Sequence, residues 1–125
     1  MFKVIDMSDI KLRSVNNKYN KNFSLNTQYR IFKQILYYNL KVPPKPFKPP
    51  YIIKIYKKTY LDIDNTIKAV IDILQGPIIR NDSDVLRLEI SKLKRKRGEM
   101  SALKVYVAEI TMENVKKYFK EIDFL

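Results

Sequence analysis

The sequence predicts one α+β domain over residues 1–125, with helices packed on a mixed sheet of about four strands. A length of 125 residues is typical of a single domain with its own core. Hydrophobic residues make up 46% of the chain, which suits a globular fold and is too many for a disordered one. Segments with strand-like alternation also interleave with segments whose apolar residues recur at helical spacing.

The first 50 residues predict a strand, a helix and a stiff connector. Residues 2–13 alternate weakly as a strand, and a polar loop follows over residues 14–22. Ser24 can cap a helix that ends by Leu40. The apolar positions at helical spacing are Leu25, Tyr29, Phe32, Ile35 and Leu36. The prolines of residues 43–50 exclude helix and inner strand, because proline lacks the amide donor, and they predict a connector within the domain.

Residues 51–62 predict a strand with two chemically different faces. The buried face carries Ile53, Ile55, Thr59 and Leu61, and the second face carries Lys54, Tyr56, Lys58, Tyr60 and Asp62. The second face is basic and aromatic and ends in an aspartate. If the chain stays extended to residue 64, Asp62 and Asp64 project from this same face, towards whatever the lysines bind.

A second helix is predicted directly after this strand. Asp64 or Asn65 can cap it, and Gly76 and Pro77 end it. The predicted buried stripe is Ile67, Val70, Ile71 and Leu74. Lys68 lies off this stripe, one turn along from the cap, so its ammonium can reach back towards the aspartates.

The remaining residues predict two strands and a terminal helix. Residues 85–90 alternate as a strand, and residues 92–101 form a basic hairpin end around Gly98. Residues 103–110 are the partner strand, and Thr111 can cap the last helix. The predicted order is therefore strand, helix, strand, helix, strand, strand, helix.

Composition excludes several classes of chemistry. The chain has no cysteine and no histidine, which excludes disulfides, Cys- or His-ligated metals, thiol nucleophiles and histidine-based hydrolytic triads. No apolar run approaches the roughly 20 residues of a membrane-spanning helix, and the N-terminus lacks the apolar region of a signal peptide. We therefore expect a cytoplasmic protein that does not bind membranes.

The distribution of charge indicates a nucleic-acid partner. The net charge is +12, and such a field attracts polyanions, although simple solubility in a lysine-rich, AT-rich organism is the alternative explanation. Residues 10–61 contain no acid, and residues 92–97 form a second basic run. Between them lie Asp62, Asp64, Asp72, Asp82 and Asp84. Acids between two basic segments predict a catalytic or metal-binding centre flanked by a surface that holds phosphates.

The aspartates suit a hard divalent cation. Mg²⁺ takes oxygen ligands and binds through a few carboxylates, and Asp62 and Asp64 supply two from same-side positions. Asp82, in the loop past the second helix, can close the site from the other side. Such a site would activate water and neutralise charge on the phosphate, while Lys68 adds positive charge near the transferring phosphoryl group.

Each of these residues also has a plain structural explanation. Asp64 can be only a helix cap, Asp82 can be only a turn residue, and Lys68 can be a solvated helix lysine. A calcium-binding loop is disfavoured, because Ile67 stands where an EF-hand requires glycine. The conjunction of these residues in the acidic part of a basic chain favours the metal site.

Two segments near the aspartates, residues 62–74 and 79–85, together form a sequence pattern in which many positions are specified. Residues 62–74 follow the spacing Asp-x-Asp-Asn-x-x-Lys-x-x-x-Asp-x-Leu, and residues 79–85 place an Asp-containing turn before a valine. This pattern resembles the signature of the RusA family of Holliday-junction resolvases, and residues 16–19 are similar to the family's Asn-Asn-Arg-Tyr element. Two departures stand out: Asn81 replaces the first of two acids, and residues 11–15 replace a proline-rich lead into Asn16.

The resemblance implies a homodimeric endonuclease, dependent on Mg²⁺ or Mn²⁺, that cuts four-way DNA junctions by paired symmetric nicks in recombination and repair. Matched position by position, it makes Asp62, Asp64 and Asp82 the catalytic metal ligands and Lys68 the essential lysine. Contacts to DNA are expected from Asn16, Asn17, Lys18, Lys54, Lys58, Asn65, Lys94, Arg95, Lys96 and Arg97. The family, the small size and the AT-rich composition together suggest a phage origin.

Two other interpretations stay open at the level of sequence. In a non-catalytic nucleic-acid-binding module, Tyr56 and Tyr60 would stack on unpaired bases between the lysines. In an adaptor, the proline segment of residues 43–50 would bind another protein, which explains neither the aspartates nor the charge. In the nuclease interpretation, Asp72 and Asp84 are expected only to support the site.

Overall fold

The structure, a computed structural model, describes residues 1–8, 23–59, 66–118 and 120. The strands are β1 (Phe2–Ser8), β2 (Tyr51–Thr59), β3 (Val85–Lys94) and β4 (Ala102–Glu109). The helices are α1 (Phe23–Tyr38), α2 (Ile67–Leu74) and α3 (Val115–Tyr118), with short 3-10 turns at Asp82–Asp84 and Met112–Asn114. The predicted order of strands and helices is confirmed.

The four strands form one mixed sheet in the order β1-β4-β2-β3. β4 pairs antiparallel with β1 and with β2, whereas β2 and β3 are parallel. A parallel pair needs a crossover connection, and α2 supplies it between these two strands. The α+β class with a sheet of four strands is therefore confirmed.

One face of the sheet carries the hydrophobic core. Alternate residues of the two central strands, among them Ile53, Ile55, Val105 and Val107, are fully buried in one cluster with residues of both long helices. The helix residues in this cluster are Phe32 and Leu36 of α1 and Ala69, Val70, Ile73 and Leu74 of α2. We call this the inner face of the sheet, and the opposite one, which carries Lys54, Tyr56 and Lys58, the outer face.

The start of α2 differs from the prediction. Thr66, and not Asp64 or Asn65, is the N-cap, with a left-handed φ of 73° and no capping hydrogen bond from its side chain. A left-handed residue cannot belong to the helix, so the helical path begins only at Ile67. The buried stripe also differs: Ala69 and Ile73 are buried, while Ile67 and Ile71 are half-buried. The end of the helix before Gly76 is as predicted, and Gly76 has a φ of 101°.

Two hydrogen bonds attach the proline-rich connector of residues 43–50 to the end of the sheet where β2 begins and β4 ends. The backbone N–H of Lys48 donates to Oε1 of Glu109 at 2.8 Å, and the N–H of Ile110 donates to the carbonyl of Pro50 at 2.9 Å. The Pro49–Pro50 peptide is cis. No helix in the described ranges is long and apolar enough to cross a membrane.

Candidate active site

Several predicted site residues lie outside the described residues. These are Asn16, Asn17, Lys18, Asp62, Asp64 and Asn65. Their roles stay predictions. The structure does describe both sides of the segment that carries the first two aspartates, since β2 ends at Thr59 and the chain is described again from Thr66.

Asp82 and Asp84 share one 3-10 turn but have different surroundings. Oδ1 of Asn81 accepts a hydrogen bond from the N–H of Ser83 at 3.0 Å and so caps the turn. Arg80 donates to both carboxylate oxygens of Asp84, at 3.2 and 3.3 Å. Asp82 is exposed, and its carboxylate has no hydrogen bond or ion pair with any described residue. The carboxylate of Asp84 is therefore held by Arg80, while the carboxylate of Asp82 is available to bind a metal ion or another ligand.

The turn that holds Asp82 lies at the N-terminal end of the parallel pair. Val85 follows the turn and pairs with Tyr51, the first residue of β2. Residues 60–65 leave β2 at its other end, after Thr59, about 26 Å away at ~3.3 Å per residue. Among the described residues, no group of three or more acidic side chains could hold a metal. The three-carboxylate centre therefore depends on residues 60–65 and stays a prediction.

Lys68 lies in the first turn of α2 and is exposed. It has no ion pair with the part of the chain that the structure describes. Thr66, two residues earlier, is fully buried, and its Oγ1 has no hydrogen-bond partner among the described groups. A left-handed threonine with a buried, unpartnered hydroxyl is a strained position, and such positions concentrate next to functional segments. Here it directly follows the segment that contains Asp62 and Asp64.

The outer-face lysines have carboxylate partners. Nζ of Lys54 lies 3.4 Å from Glu89, and Nζ of Lys58 lies 3.4 Å from Glu99. All four side chains are about one-third exposed, so each pair contributes at most ~1 kcal/mol and a DNA phosphate can displace the glutamate. The predicted basic surface is therefore present, but its charge is partly neutralised in the free protein.

The outer-face tyrosine Tyr56 packs against another aromatic ring. Its ring meets that of Tyr106 edge to face, with centroids 5.7 Å apart and an interplanar angle of 87°. Nζ of Lys3 lies 5.6 Å from the centroid of the Tyr106 ring and 3.1 Å from the Asp6 carboxylate. These contacts occupy part of the ring surface that base stacking would need, which favours a packing role for Tyr56.

The second basic run is attached to the C-terminal end of β2. The N–H of Arg95 donates to the carbonyl of Thr59 at 3.3 Å, and Nη1 of Arg95 donates to Oγ of Ser101 at 3.3 Å. Lys96 and Arg97 are exposed in the connection between β3 and β4, where Gly98 has a φ of 86°. The predicted hairpin is wrong, because β4 pairs with β1 and β2 while β3 pairs with β2 in the described sheet. The basic run therefore lies at the same end of β2 from which residues 60–65 continue.

A buried lysine near the C-terminal end of β2, Lys57, was not predicted from the sequence. Lys57 is 4% exposed, and the other buried polar residues in the described ranges, Thr59, Thr66 and Ser101, lie at this end of the sheet or at the start of α2. Lys92 of β3 pairs in register with Lys57. The signal was available, because Lys57 falls in the alternating series of Ile53, Ile55 and Thr59, where an apolar residue is expected.

The comparison with protein families agrees with this scaffold. Residues 48–108, which contain β2, α2, β3 and nearly all of β4, match the family model for Endodeoxyribonuclease RusA. No curated protein sequence gives a significant match to the chain. The matched segment includes the aspartate pattern, Lys68, the Asp82–Asp84 turn and the second basic run. Residues 48–108 of this chain are therefore similar to the RusA endodeoxyribonuclease family.

Proposed function

We propose that the protein is a structure-specific endodeoxyribonuclease that resolves four-way DNA junctions by paired symmetric nicks, in recombination and repair. The observation that carries this proposal is the family match over residues 48–108, because it spans the strand–helix–strand unit that contains all four predicted catalytic residues. The net charge of +12 supports a polyanionic substrate.

Mg²⁺, or Mn²⁺ in its place, is the cofactor of this proposal, with Asp62, Asp64 and Asp82 as its ligands. Carboxylate oxygens are the donors these ions take, and the chain has no histidine or cysteine that would favour a softer metal. When bound, the ion supplies charge neutralisation at the phosphate and activates water. The exposed carboxylate of Asp82 has the chemistry of a metal ligand. Asp82 lies at the start of β3, at the opposite end of the β2–β3 pair from residues 60–65, so its role as a ligand is the first one to test.

The chain's own cations have separate roles in the proposal. Lys68, exposed in the first turn of α2, stabilises the negative charge that develops on the phosphate. The exposed side chains of Lys94, Lys96 and Arg97 hold backbone phosphates without reading bases. A homodimer follows from the substrate, since a junction offers two symmetry-related strands and a two-fold dimer presents one site to each.

The test is cleavage of a labelled four-way junction, with a linear duplex of the same arm sequence as the control substrate. We expect symmetric nicks in the junction with Mg²⁺, none with a chelator, and little cutting of the duplex. Asp62→Asn should abolish cutting and retain junction binding. Binding without cutting in either Mg²⁺ or Mn²⁺ would reject the enzyme and favour a non-catalytic nucleic-acid-binding module.

A further inference from the structure

The edge of the described sheet at β3 has the features of an interface with a second copy of the chain. We propose that β3 pairs antiparallel with β3 of a partner subunit, about a two-fold axis that passes beside Leu88. This inference rests on the homodimer of the proposed function and names the surface that joins its subunits. The occupant is a second copy because the strand is complementary to itself in backbone, apolar side chains and charge.

β3 is an edge strand of the described sheet. The order β1-β4-β2-β3 leaves one side of β3 without a strand partner among the described residues. An edge strand presents a row of backbone N–H and C=O groups that another strand can pair with. With ten residues, β3 is the longest described strand, and it contains no proline that would block its edge. A long edge of this kind is suited to pairing with another strand.

Two leucines of β3 are exposed next to the core. Leu86 is 45% exposed and Leu88 is 41% exposed. Leu88 pairs with Ile53, a fully buried residue of the inner face, so the leucine lies on that face and is open towards the edge. A two-fold pair about Leu88 places this residue against its own copy and Leu86 against the partner's Ile90. The partner strand would therefore bury apolar surface that the described helices leave open.

The two ends of β3 carry opposite charges. The turn that precedes the strand contains Asp82 and Asp84, and the second basic run, residues 92–97, begins within its last three residues. Antiparallel pairing of two copies places the acidic end of each strand beside the basic end of the other, whereas parallel pairing places like charges together. Copies of a chain with a net charge of +12 otherwise repel each other, so this matched edge favours one mode of approach.

The side chains of the strand favour one register. With the axis at Leu88, Arg87 of each subunit faces the partner's Glu89. An axis at Arg87 or at Glu89 would instead place identical charges opposite each other, which is unfavourable. An axis at Ile90 would place the apolar Leu88 opposite the partner's Lys92. Leu88 is therefore the axis position that combines apolar contacts with opposite charges.

The charge pairs across this axis extend a pair that each chain already contains. Nε of Arg87 donates to Oε1 of Glu89 in the same chain at 3.0 Å, and both side chains are about one-third exposed. In the proposed register two such pairs meet, so that each Arg87 lies beside the partner's Glu89 as well as its own. The four charges alternate in sign. The interface therefore adds attraction without requiring either residue to leave its present partner.

This interface changes which carboxylate lies beside the C-terminal end of β2. Thr59, the last residue of β2, pairs with Lys94, the last residue of β3. With the axis at Leu88, the position opposite Lys94 is that of the partner's Asp82. Two strand spacings separate this position from Thr59, about 10 Å, whereas the chain's own Asp82 turn lies at the far end of the pair, about 26 Å away. In the proposed nuclease, Asp82 would therefore act in the site of the partner subunit.

The first experiment tests the register without any cleavage. The chain has no cysteine, so a single introduced cysteine can form a disulfide only with a second copy. Facing residues of antiparallel strands have Cα atoms about 4.5–5.5 Å apart, within the range of a disulfide, so Leu88→Cys should form a covalent dimer under mild oxidation. Leu93→Cys is the control, because Leu93 is more exposed and its two copies would lie about 33 Å apart. No crosslink in Leu88→Cys, or equal crosslinking in both variants, would overturn the interface.

The second experiment measures dimerisation by sedimentation equilibrium in Arg87→Glu and Glu89→Arg. Each variant alone places like charges opposite each other across the axis, so self-association should weaken at least about tenfold. An equimolar mixture should form heterodimers, since every facing pair is then opposite in charge. Lys104→Glu, exposed on the outer face of β4, makes the same change in charge and should dimerise as the wild type does. Unchanged self-association in both single variants, or no recovery in the mixture, would overturn the interface.

A mixed dimer tests the position of Asp82. Asp62→Asn and Asp82→Asn should each be inactive alone under the proposed function. In a dimer of one with the other, a site that takes Asp82 from the partner is intact in one of its two copies, so the mixture should nick a junction. If each subunit used its own Asp82, both sites would carry a substitution. An inactive mixture in which heterodimers are present would overturn the assignment of Asp82 to the partner's site.

The outcomes for the interface and for the nuclease are independent. If Leu88→Cys crosslinks but the wild type cuts no junction, the interface stands and the nuclease proposal falls. If the wild type cuts junctions but Leu88→Cys does not crosslink, the interface falls and the nuclease proposal stands.

Discussion

Lys57 of β2 lies directly opposite Lys92 of β3 on the inner face of the sheet, the first 4% exposed and the second half-buried. Lys57 is one of four buried polar residues in the described ranges, and Thr59 and Ser101 lie at the same end of the sheet. The described core therefore becomes polar at the C-terminal end of β2, directly before residues 60–65.

Asp82→Asn should weaken metal binding and leave stability unchanged, whereas Asp84→Asn should lower stability and leave metal binding unchanged. Asp82 is exposed, with no partner in the described part of the chain, so its substitution should leave stability within about 0.5 kcal/mol and lower Mn²⁺ affinity and cutting at least tenfold. Asp84 accepts two bonds from Arg80, so its substitution should cost up to ~1 kcal/mol and retain the metal. Calorimetric Mn²⁺ binding distinguishes the two. Unchanged Mn²⁺ affinity in Asp82→Asn would remove this residue from the metal site.

Tyr51→Phe should destabilise the domain by about 1–3 kcal/mol. The Tyr51 hydroxyl, on a 1% exposed side chain, donates to the carbonyl of Phe47 at 3.1 Å and accepts from the N–H of Arg80 at 3.3 Å. Phenylalanine would leave both backbone groups without this partner. Urea denaturation gives the change in the free energy of unfolding. Tyr37→Phe, at an exposed position, should change it by less than about 0.5 kcal/mol, and equal losses in both variants would contradict the role of the buried hydroxyl.

Lys68→Ala should slow junction cutting much more than it weakens junction binding. The proposed role is to stabilise charge that develops in the transition state, and loss of such an interaction lowers the rate of the chemical step. Single-turnover cleavage and equilibrium binding, measured side by side, give the two effects. Lys45→Ala, at an exposed position in the proline connector, controls for the loss of a lysine. Equal losses of rate and affinity would make Lys68 a simple phosphate contact.

Most of the fold could be predicted because its signals are local. The alternation of residues 51–59 marks β2, and Gly76 and Pro77 mark the end of α2. A helix between two strands also favours parallel pairing, which β2 and β3 show. The left-handed conformation of Thr66 was not predictable, because no local pattern favours it over a conventional cap at Asp64 or Asn65. Helical spacing also allowed two neighbouring stripes on α2, and packing selected the one that buries Ala69 and Ile73.

The partners of the outer-face lysines were harder to predict than the face on which these lysines lie. Lys54 and Lys58 were identified from alternation, but their partners Glu89 and Glu99 come from distant parts of the chain. Such pairs depend on strand order and register, which the sequence does not show. Lys57 was missed although its position breaks an apolar series, because a lysine between apolar residues is usually solvated and not buried.

Paired nicking of a junction in a closed plasmid tests the central claim most directly. A supercoiled plasmid with an extruded cruciform becomes linear when both strands of the junction are cut within one binding event, and becomes a nicked circle when only one is cut. For the wild type in Mg²⁺ we predict linear product, with ends that map to symmetry-related positions at the junction, and no product from Asp62→Asn. Random nicked circles, or no cutting of the cruciform, would contradict a dimeric junction-resolving nuclease.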